Sequence, residues 1–163
     1  MRALRARREL NRNAVNPMVR YGVIAAVVAL ALAQVLPIER ENPPVEAEVP
    51  TTSEARAVLV RACFDCHSNQ VVWPWYSRVA PVSWLVAKDV REGRDELNFS
   101  TWSRYDAKKQ RKLLKETLKE IDEGEMPLWI YRLGHPEARL SDADRALLGA
   151  WVDERLAALD AGP

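Results

Sequence analysis

Hydrophobic residues recur every three to four positions in four segments after residue 50, which is the spacing of one helical face. No segment alternates hydrophobic and polar residues with a period of two for long. The pattern therefore predicts an all-α domain of about four helices joined by long loops. The predicted helices run from the polar residues 51–54 to about Cys63, from Pro81 or Ser83 to about Glu96, from about Asp106 to Glu123, and from Ser141 onwards.

Capping residues support these helix ends. Residues 51–54 read Thr-Thr-Ser-Glu and offer a capping box, and Ser141 has Asp144 three positions later. Gly124 is the natural stop of the third helix, because glycine readily adopts the left-handed conformation that ends helices.

Two of the predicted loops are unusually aromatic. Residues 71–84 and 126–140 hold four of the six tryptophans, although loops are usually polar surface. Four short helices also make a thin hydrophobic core. The combination indicates that the loops enclose a large, flat group. The alternative is that the tryptophans simply pack on the helices.

The N-terminal part of the chain has the pattern of an export signal, with basic residues 1–20 followed by the apolar residues 21–38. Residues 31–33, Ala-Leu-Ala, fit the small-x-small rule for a cleaved signal peptide. Alternatively, the twenty residues 19–38 would reach about 30 Å as a helix, enough for an uncleaved transmembrane anchor. Both interpretations keep the arginines cytoplasmic and export everything after residue 38.

Residues 37–50 contain four Pro and four Glu and almost nothing to bury, so they are predicted to form an extended, solvated linker. The chain is thus divided into a basic cytoplasmic N-terminus (1–20), a signal anchor or transmembrane segment (21–38), a linker (39–50) and a folded domain (51–160).

The overall charge argues against nucleic-acid binding. The formal net charge is +1, but the first twenty residues hold six Arg and one Glu, which leaves the rest of the chain mildly acidic. Nucleic-acid binding needs a basic patch that neutralises phosphates. The chain also has only two Cys and two His, which limits any site built from soft ligands.

Both cysteines and one histidine lie in one motif, Cys63-Phe64-Asp65-Cys66-His67. This CxxCH pattern is the attachment signature of c-type haem. Two thiols three positions apart can each form a thioether with a porphyrin vinyl group, and the next residue then lies under the iron. The motif therefore predicts one covalent haem c with His67 as the proximal iron ligand.

Other CxxC sites fit less well. A thioredoxin-type redox pair or a disulfide is reasonable in an exported protein, but the redox motif is expected beside a βαβ pattern, and no strand is visible. A structural zinc site needs four ligands. The remaining histidine, His135, lies far along the chain, and no second pair of Cys or His residues lies near it.

Met126 is the best candidate for the sixth iron ligand. It lies 59 residues after His67 in Gly-Glu-Met-Pro, where a helix-ending glycine and Pro127 hold the thioether in a fixed loop. His135, also in a loop bounded by glycine and proline, stays an alternative.

The stretches CFDCHSNQVVWPWYSRVAPVSW and GEMPLWIYRLGHPEARLSDADRALLGAWV resemble the bacterial haem-binding domain family, and the order of features is similar to class I cytochrome c. The resemblance implies about four helices around one covalently attached haem, preceded by an N-terminal transmembrane helix. It implies that the first and last helices of the domain cross, with Val58 or Leu59 near Trp151. It also implies that the carbonyl of Pro74 or Pro81 accepts the Nδ1 hydrogen of His67.

Propionate contacts are expected from cations and indole hydrogens near the motif. Trp73, Trp75 and Arg94 are predicted as cofactor-binding residues, and the wider set of candidates adds Arg78, Lys88, Trp84 and Trp102.

A histidine and methionine pair would fill both axial positions, which favours electron transfer over chemistry at the iron. The expected function is a single-pass inner-membrane protein whose haem domain faces the periplasm and carries single electrons between redox proteins. The alternative is a haem-based gas or redox sensor whose distal ligand is displaceable. A thiol oxidoreductase is a third hypothesis. No acid, base or nucleophile stands out near the motif, so an enzyme is not expected.

Overall fold

The structure, a computed structural model, describes residues 16–162 and is all-helical in that range. It contains seven α-helices and three short 3₁₀ turns, at Trp75–Arg78, Trp102–Arg104 and Pro136–Ala138. The helices are α1 (Pro17–Ala33), α2 (Ser53–Ala62), α3 (Phe64–His67), α4 (Val82–Glu96), α5 (Ala107–Asp122), α6 (Trp129–Gly134) and α7 (Asp142–Asp160).

The four predicted domain helices correspond to α2, α4, α5 and α7, and their ends follow the capping pattern. The Thr52 side chain accepts a hydrogen bond from the backbone N–H of Ala55 at 3.2 Å and so caps α2. Ser141 and Asp144 form a reciprocal capping box at the start of α7. Gly124, with φ of +76°, follows the end of α5 as predicted. These local signals are strong because each satisfies backbone groups that the helix itself leaves unpaired.

The hydrophobic core lies where α2 and α5 both pack against α7. Val58, Leu59 and Trp151 belong to one buried cluster, as the resemblance implied for the crossing of first and last helices. The Trp151 indole nitrogen donates a 3.0 Å hydrogen bond to the Pro50 carbonyl, so its one polar atom is paired. The other buried members of the cluster are Val49, Ala55, Phe64, Phe99, Trp102, Leu113, Leu114, Ile121, Leu148 and Val152.

The end of the predicted linker is not solvated. Val49 is only 2% exposed and lies in the core, and its backbone N–H donates to the Phe99 carbonyl at 2.9 Å. Ala47 forms an isolated parallel bridge with Thr101. The segment 42–50 is therefore an extended strap held against the domain by its backbone, which a count of its Pro and Glu residues does not reveal.

The apolar N-terminal segment forms α1, which ends at Ala33, and the chain becomes extended from Pro37. Within residues 16–162, no helix is both long and apolar enough to cross a membrane. The predicted membrane-spanning helix over 21–38 is therefore not found, since the residues after Ala33 leave the helix and proline cannot continue it. Most of the predicted basic N-terminus, residues 1–15, lies outside the described residues.

Candidate functional site

The CxxCH motif forms a single helical turn directly after α2. The Cys63 N–H closes α2 on the Leu59 carbonyl at 2.8 Å, and the Cys63 carbonyl then accepts from the N–H groups of Cys66 and His67 at 3.2 and 2.9 Å. Residues three apart lie on the same face of a helical turn. The fold therefore sets the two sulfur-bearing residues side by side with His67 next to them.

The His67 ring is oriented by α4. Its Nδ1 lies 2.9 Å from the Gly93 carbonyl oxygen and 3.1 Å from that of Leu97, so Nδ1 is the protonated nitrogen and donates to both. Burial lowers the pKa of His67, which favours the neutral ring. No described residue forms a hydrogen bond with Nε2, so this nitrogen can bind a metal.

The acceptors differ from those the resemblance implied. The carbonyls of Pro74 and Pro81 accept backbone N–H groups of their own 3₁₀ and helical turns instead of the His67 hydrogen. Gly93 lies in the last turn of α4, and Leu97 follows it. The Leu97 carbonyl lies just past the helix, where carbonyls lack intrahelical partners and are free to accept a side-chain donor. The Gly93 carbonyl accepts the Leu97 N–H at 2.9 Å as well as the ring hydrogen, so it is shared between two donors.

Gly93 also allows α4 to approach the motif. A β-carbon at this position would lie 2.7 Å from the Cys66 carbonyl oxygen, closer than real β-carbons come to other atoms, and 3.1 Å from the Cys66 Cβ, which is a tight contact. Sequence reasoning did not identify this residue. The available signal was a glycine inside a helical pattern, which weakens a helix and so indicates a packing reason.

A cavity of about 390 Å³ opens beside the motif, within the size range of small-molecule and cofactor sites. Cys63, His67 and Met126 all line it. Its apolar wall consists of Ala62, Leu97, Phe99, Leu113, Ile121, Pro127 and Leu140. Its polar rim consists of Glu96, Lys112, Glu116, Thr117 and Glu120.

Met126 reaches this cavity from the turn that ends α5. The backbone N–H groups of Glu125 and Met126 both donate to the Glu120 carbonyl, at 3.0 and 3.1 Å. Pro127 is buried directly after them. The Met126 backbone is thus held on both sides, and the structure brings its side chain to the same cavity as His67.

His135 is placed elsewhere and both of its ring nitrogens are engaged. Nε2 lies 2.7 Å from the Tyr76 hydroxyl and Nδ1 lies 3.1 Å from a Glu137 carboxylate oxygen. The ring also stacks on Tyr131, with centroids 4.1 Å apart. His135 is not part of the cavity lining, so it serves the packing of the loops.

Asp65, inside the motif, joins two loops to it. One carboxylate oxygen accepts from the Val72 N–H at 2.9 Å, and the other accepts from the Tyr131 hydroxyl at 2.8 Å. Burial and this carboxylate raise the pKa of Tyr131, which keeps the phenol protonated as a donor. No sequence signal separated this aspartate from an ordinary surface residue.

Three predicted cofactor-binding residues do not line the first cavity. Trp75 is 78% exposed, and Trp73 and Arg94 line a second cavity. The Arg94 guanidinium donates to the carbonyls of Ser68 and Glu41 at 2.8 and 3.0 Å and also bonds Asn42. Arg94 therefore links Asn42 of the strap to Ser68, the residue directly after the motif. Among the described residues that line the first cavity, Lys112 is the one lysine or arginine.

The two thiols are poor candidates for redox chemistry. Both cysteines are free, and burial raises the pKa of Cys63 and of Cys66 to about 12. Reactive CxxC pairs depend on a thiol whose pKa is lowered. Here burial raises the pKa of both thiols instead of lowering it, which argues against a thioredoxin-type activity.

Comparison with known proteins adds one finding. The model of the haem-binding domain family matches residues 28–154, which include both cavities and the whole motif. No match was found among curated proteins or among solved structures.

Proposed function

Since the chain belongs to the haem-binding domain family and is a haem-binding protein, we propose that it holds a single haem c and carries electrons one at a time. The observation that carries the proposal is the shared cavity, in which Cys63, His67 and Met126 meet. A cytochrome c-like arrangement of α2, α4, α5 and α7 around this cavity is part of the proposal.

The residues present fit a haem. His67 offers an unpaired Nε2, Met126 offers a thioether, and the wall between them is apolar. Bound haem supplies an iron that alternates between ferric and ferrous states. The chain's own contribution is to bind, orient and shield that iron.

Cys63 and Cys66 attach the group in this proposal. Each thiol would hold the haem through one thioether, whose formation by addition across a vinyl double bond would break the S–H bond and place the hydrogen on the second vinyl carbon. No oxidant or reductant is consumed. Burial raises the pKa of both thiols to about 12, which disfavours disulfide exchange.

His67 would hold the iron through Nε2. Donation of its Nδ1 hydrogen to the Gly93 and Leu97 carbonyls holds the ring in one orientation and makes Nε2 a better donor to iron. In many metal sites a single carboxylate or carbonyl orients the ligating histidine, whereas here two carbonyls at the end of α4 orient it.

Met126 would hold the iron through its thioether, and this role favours an electron carrier over a sensor. With both His67 and Met126 bound, the iron would have no free site for gases unless the thioether were displaced. The turn that carries Met126 is closed by two backbone hydrogen bonds to Glu120, so the residue is held and not loosely presented.

The charged residues at the rim of the first cavity are proposed to have two roles, propionate binding and adjustment of the reduction potential. Lys112 can pair with a haem propionate, because it is the cation of the described lining. Glu96, Glu116 and Glu120 add negative charge, which stabilises the more positive ferric state. The rim thereby lowers the reduction potential that an apolar wall and a methionine ligand raise.

We place the domain on the exported side of the bacterial inner membrane, held there through its N-terminal segment. Support comes from the arginines that precede the apolar residues. Cell fractionation followed by a carbonate wash tests this. Retention in the membrane pellet with an intact N-terminus supports an anchor, whereas release with a mass that begins after Ala33 would overturn it.

Carbon monoxide binding tests the electron-carrier proposal. The reduced protein, made with a cytochrome c maturation system, is expected to show a low-spin spectrum that carbon monoxide does not change at neutral pH. Rapid carbon monoxide binding to a high-spin ferrous form would overturn the proposal in favour of the sensor.

A further inference from the structure

Six exposed apolar side chains cluster on the two aromatic loops. Trp75 is 78% exposed and Trp129 is 65% exposed, and neither lines the first cavity. Single exposed apolar residues are common on folded domains, whereas a cluster of them marks an interaction surface. The cluster, called the aromatic patch below, consists of Val72, Trp75, Val79, Trp129, Ile130 and Leu133.

Hydrogen bonds hold the two loops side by side. The Asp65 carboxylate accepts from the Val72 N–H at 2.9 Å and from the Tyr131 hydroxyl at 2.8 Å. The Tyr76 hydroxyl lies 2.7 Å from Nε2 of His135. These bonds join the first aromatic loop to the second, so the two halves of the aromatic patch are neighbours.

The short helix α6 turns apolar side chains toward the outside. Tyr131 is used on the inner side, where its ring stacks on His135 with centroids 4.1 Å apart. Trp129 and Leu133 lie four positions apart, on one helix face, and both are exposed. None of the patch residues belongs to the hydrophobic core cluster of the described residues. Their exposure is therefore not a by-product of core packing.

The loops that carry the aromatic patch contain arginines and no carboxylates. Residues 71–87 include Arg78 and no Asp or Glu, and residues 126–136 include Arg132 and no Asp or Glu. Arginine near a bilayer surface is attracted to anionic lipid headgroups by about 1 kcal/mol each. The composition of both loops therefore suits a surface that is apolar inside and anionic at its edge.

The aromatic patch lies next to the end of the apolar helix α1. The Gln34 side chain is bonded to Ala80 through both its oxygen and its nitrogen, at 3.1 and 3.3 Å. The Arg40 guanidinium donates to the Ser77 carbonyl at 2.9 Å. Both bonds fix the loop that carries Trp75 to the segment that follows α1. No residue of α1 is buried, so two exposed apolar surfaces adjoin here.

We propose that the aromatic patch docks on the surface of an anionic lipid bilayer, with Trp75 and Trp129 at the level of the headgroups. Tryptophan is enriched where hydrocarbon meets water, because its ring is apolar and its N–H is polar. A protein partner would also use tryptophan and arginine, but the position beside α1 favours lipid. The docking rests on the proposed placement at the membrane and not on electron transfer.

Docking gives the haem domain a fixed orientation. Asp65 lies inside the CxxCH motif and bonds both loops, so the motif is held close to the aromatic patch. A patch seated in the headgroups therefore keeps the motif near the bilayer surface.

Spin labels on the full-length holoprotein test the docking in vesicles of phosphatidylethanolamine and phosphatidylglycerol. Val72→Cys and Leu133→Cys carry the labels and keep both exposed tryptophans. Lys108→Cys is the control, because it lies on α5, which packs chiefly against α7. Oxygen concentrates in hydrocarbon and a water-soluble nickel chelate is excluded from it, so their collision rates report the depth of each label. The unmodified chain, treated in the same way, gives the background from the native cysteines.

The expected result is that the labels at positions 72 and 133 collide more often with oxygen than with the nickel chelate. The label at position 108 should show the reverse. In a Trp75→Ser, Trp129→Ser background, the first two labels should also become accessible to the chelate. Far-UV circular dichroism and the visible spectrum show that each variant folds and holds its haem.

A charge variant tests the preference for anionic lipid. Arg78→Gln should lower the ratio of docked to undocked label at position 72 about fivefold, the equivalent of about 1 kcal/mol. Lys115→Gln, exposed on α5, is the matched control and should leave the ratio unchanged. Equal ratios in the two variants would overturn the anionic surface as the partner.

The remaining outcomes separate the docking from the other proposals. If the chain floats with the vesicles but all three labels meet the chelate, the docking is wrong and the membrane placement stands. If the labels at 72 and 133 are shielded from both reagents, protein covers the aromatic patch and the docking is wrong. A chain that does not float with the vesicles overturns both the docking and the membrane placement, whereas the electron-carrier function is judged by the carbon monoxide test alone.

Discussion

The imidazole Nδ1 of His67 and the carbonyl oxygen of Gly93 are joined by a 2.9 Å hydrogen bond that ties the CxxCH turn to the last turn of α4. The same glycine lets the two helices touch, since its missing side chain makes room for Cys66. Ligand orientation and helix packing thus depend on one residue.

Gly93→Ala is therefore expected to be harmful. The new β-carbon would lie 2.7 Å from the Cys66 carbonyl oxygen, so α4 must shift, at a cost of about 1–3 kcal/mol of stability. Haem incorporation should fall with it. Denaturant unfolding and haem content per chain measure both effects.

The matched control for this substitution is Gly149→Ala in α7. A β-carbon at Gly149 meets nothing within 4 Å, so the change should be neutral or stabilise by about 0.5–1 kcal/mol. Equal effects of the two substitutions would show that the close contact at Gly93 does not constrain the site.

Met126→Ala should open the sixth coordination position. The ferrous variant is expected to bind carbon monoxide and to have a lower reduction potential, because a soft thioether favours ferrous iron. His135→Ala should leave the visible spectrum unchanged and reduce stability through loss of the bond to Tyr76. If His135→Ala alters the spectrum and Met126→Ala does not, the distal assignment is wrong.

Glu120→Gln should raise the reduction potential. Removal of one carboxylate from the rim of the first cavity destabilises the ferric state by on the order of 0.5 kcal/mol, which corresponds to roughly 20 mV. Glu154→Gln on the exposed face of α7 is the control and should leave the potential unchanged. Redox titration followed at the visible bands measures both; a fall in the Glu120→Gln potential contradicts the expectation.

Stability should decrease in acid partly through the strap. Glu48 accepts from Arg56 at 2.6 Å and from Gln70 at 2.8 Å, and the bond to Arg56 lowers the pKa of Glu48 below its usual value. A carboxyl with a lowered folded-state pKa contributes stability above its unfolded-state pKa and loses it as pH falls. The effect should be about 1 kcal/mol or less, because the pair is partly exposed.

Urea unfolding of the unmodified chain and of Glu48→Gln at pH 7 and at pH 4 measures this contribution. The loss of stability between the two pH values should be smaller in Glu48→Gln. An identical loss in both proteins would show that the ion pair to Arg56 does not stabilise the strap.

The helices and the motif could be predicted because their signals are local. Ser141 and Asp144 lie within one turn, and Cys63 to His67 are five consecutive residues. Met126 was reached by elimination, since few residues can bind iron, and the structure places its side chain at the cavity of His67.

The remaining features depend on tertiary packing. The acceptors of the His67 hydrogen are backbone carbonyls, which every residue has, so no residue type marks Gly93 and Leu97. Val49 is one apolar residue among Pro and Glu, and its burial follows from the partner loop. Arg94 had the right charge for a propionate, but its guanidinium instead bonds Asn42 of the strap.

Covalent attachment of haem is tested most directly by the intact mass of chain produced with a cytochrome c maturation system and then denatured. The expected result is the mass of the chain plus one haem, with no thiol left to titrate, and loss of the added mass in the Cys63→Ala, Cys66→Ala double variant. A denatured chain at its unmodified mass with two titratable thiols would contradict it.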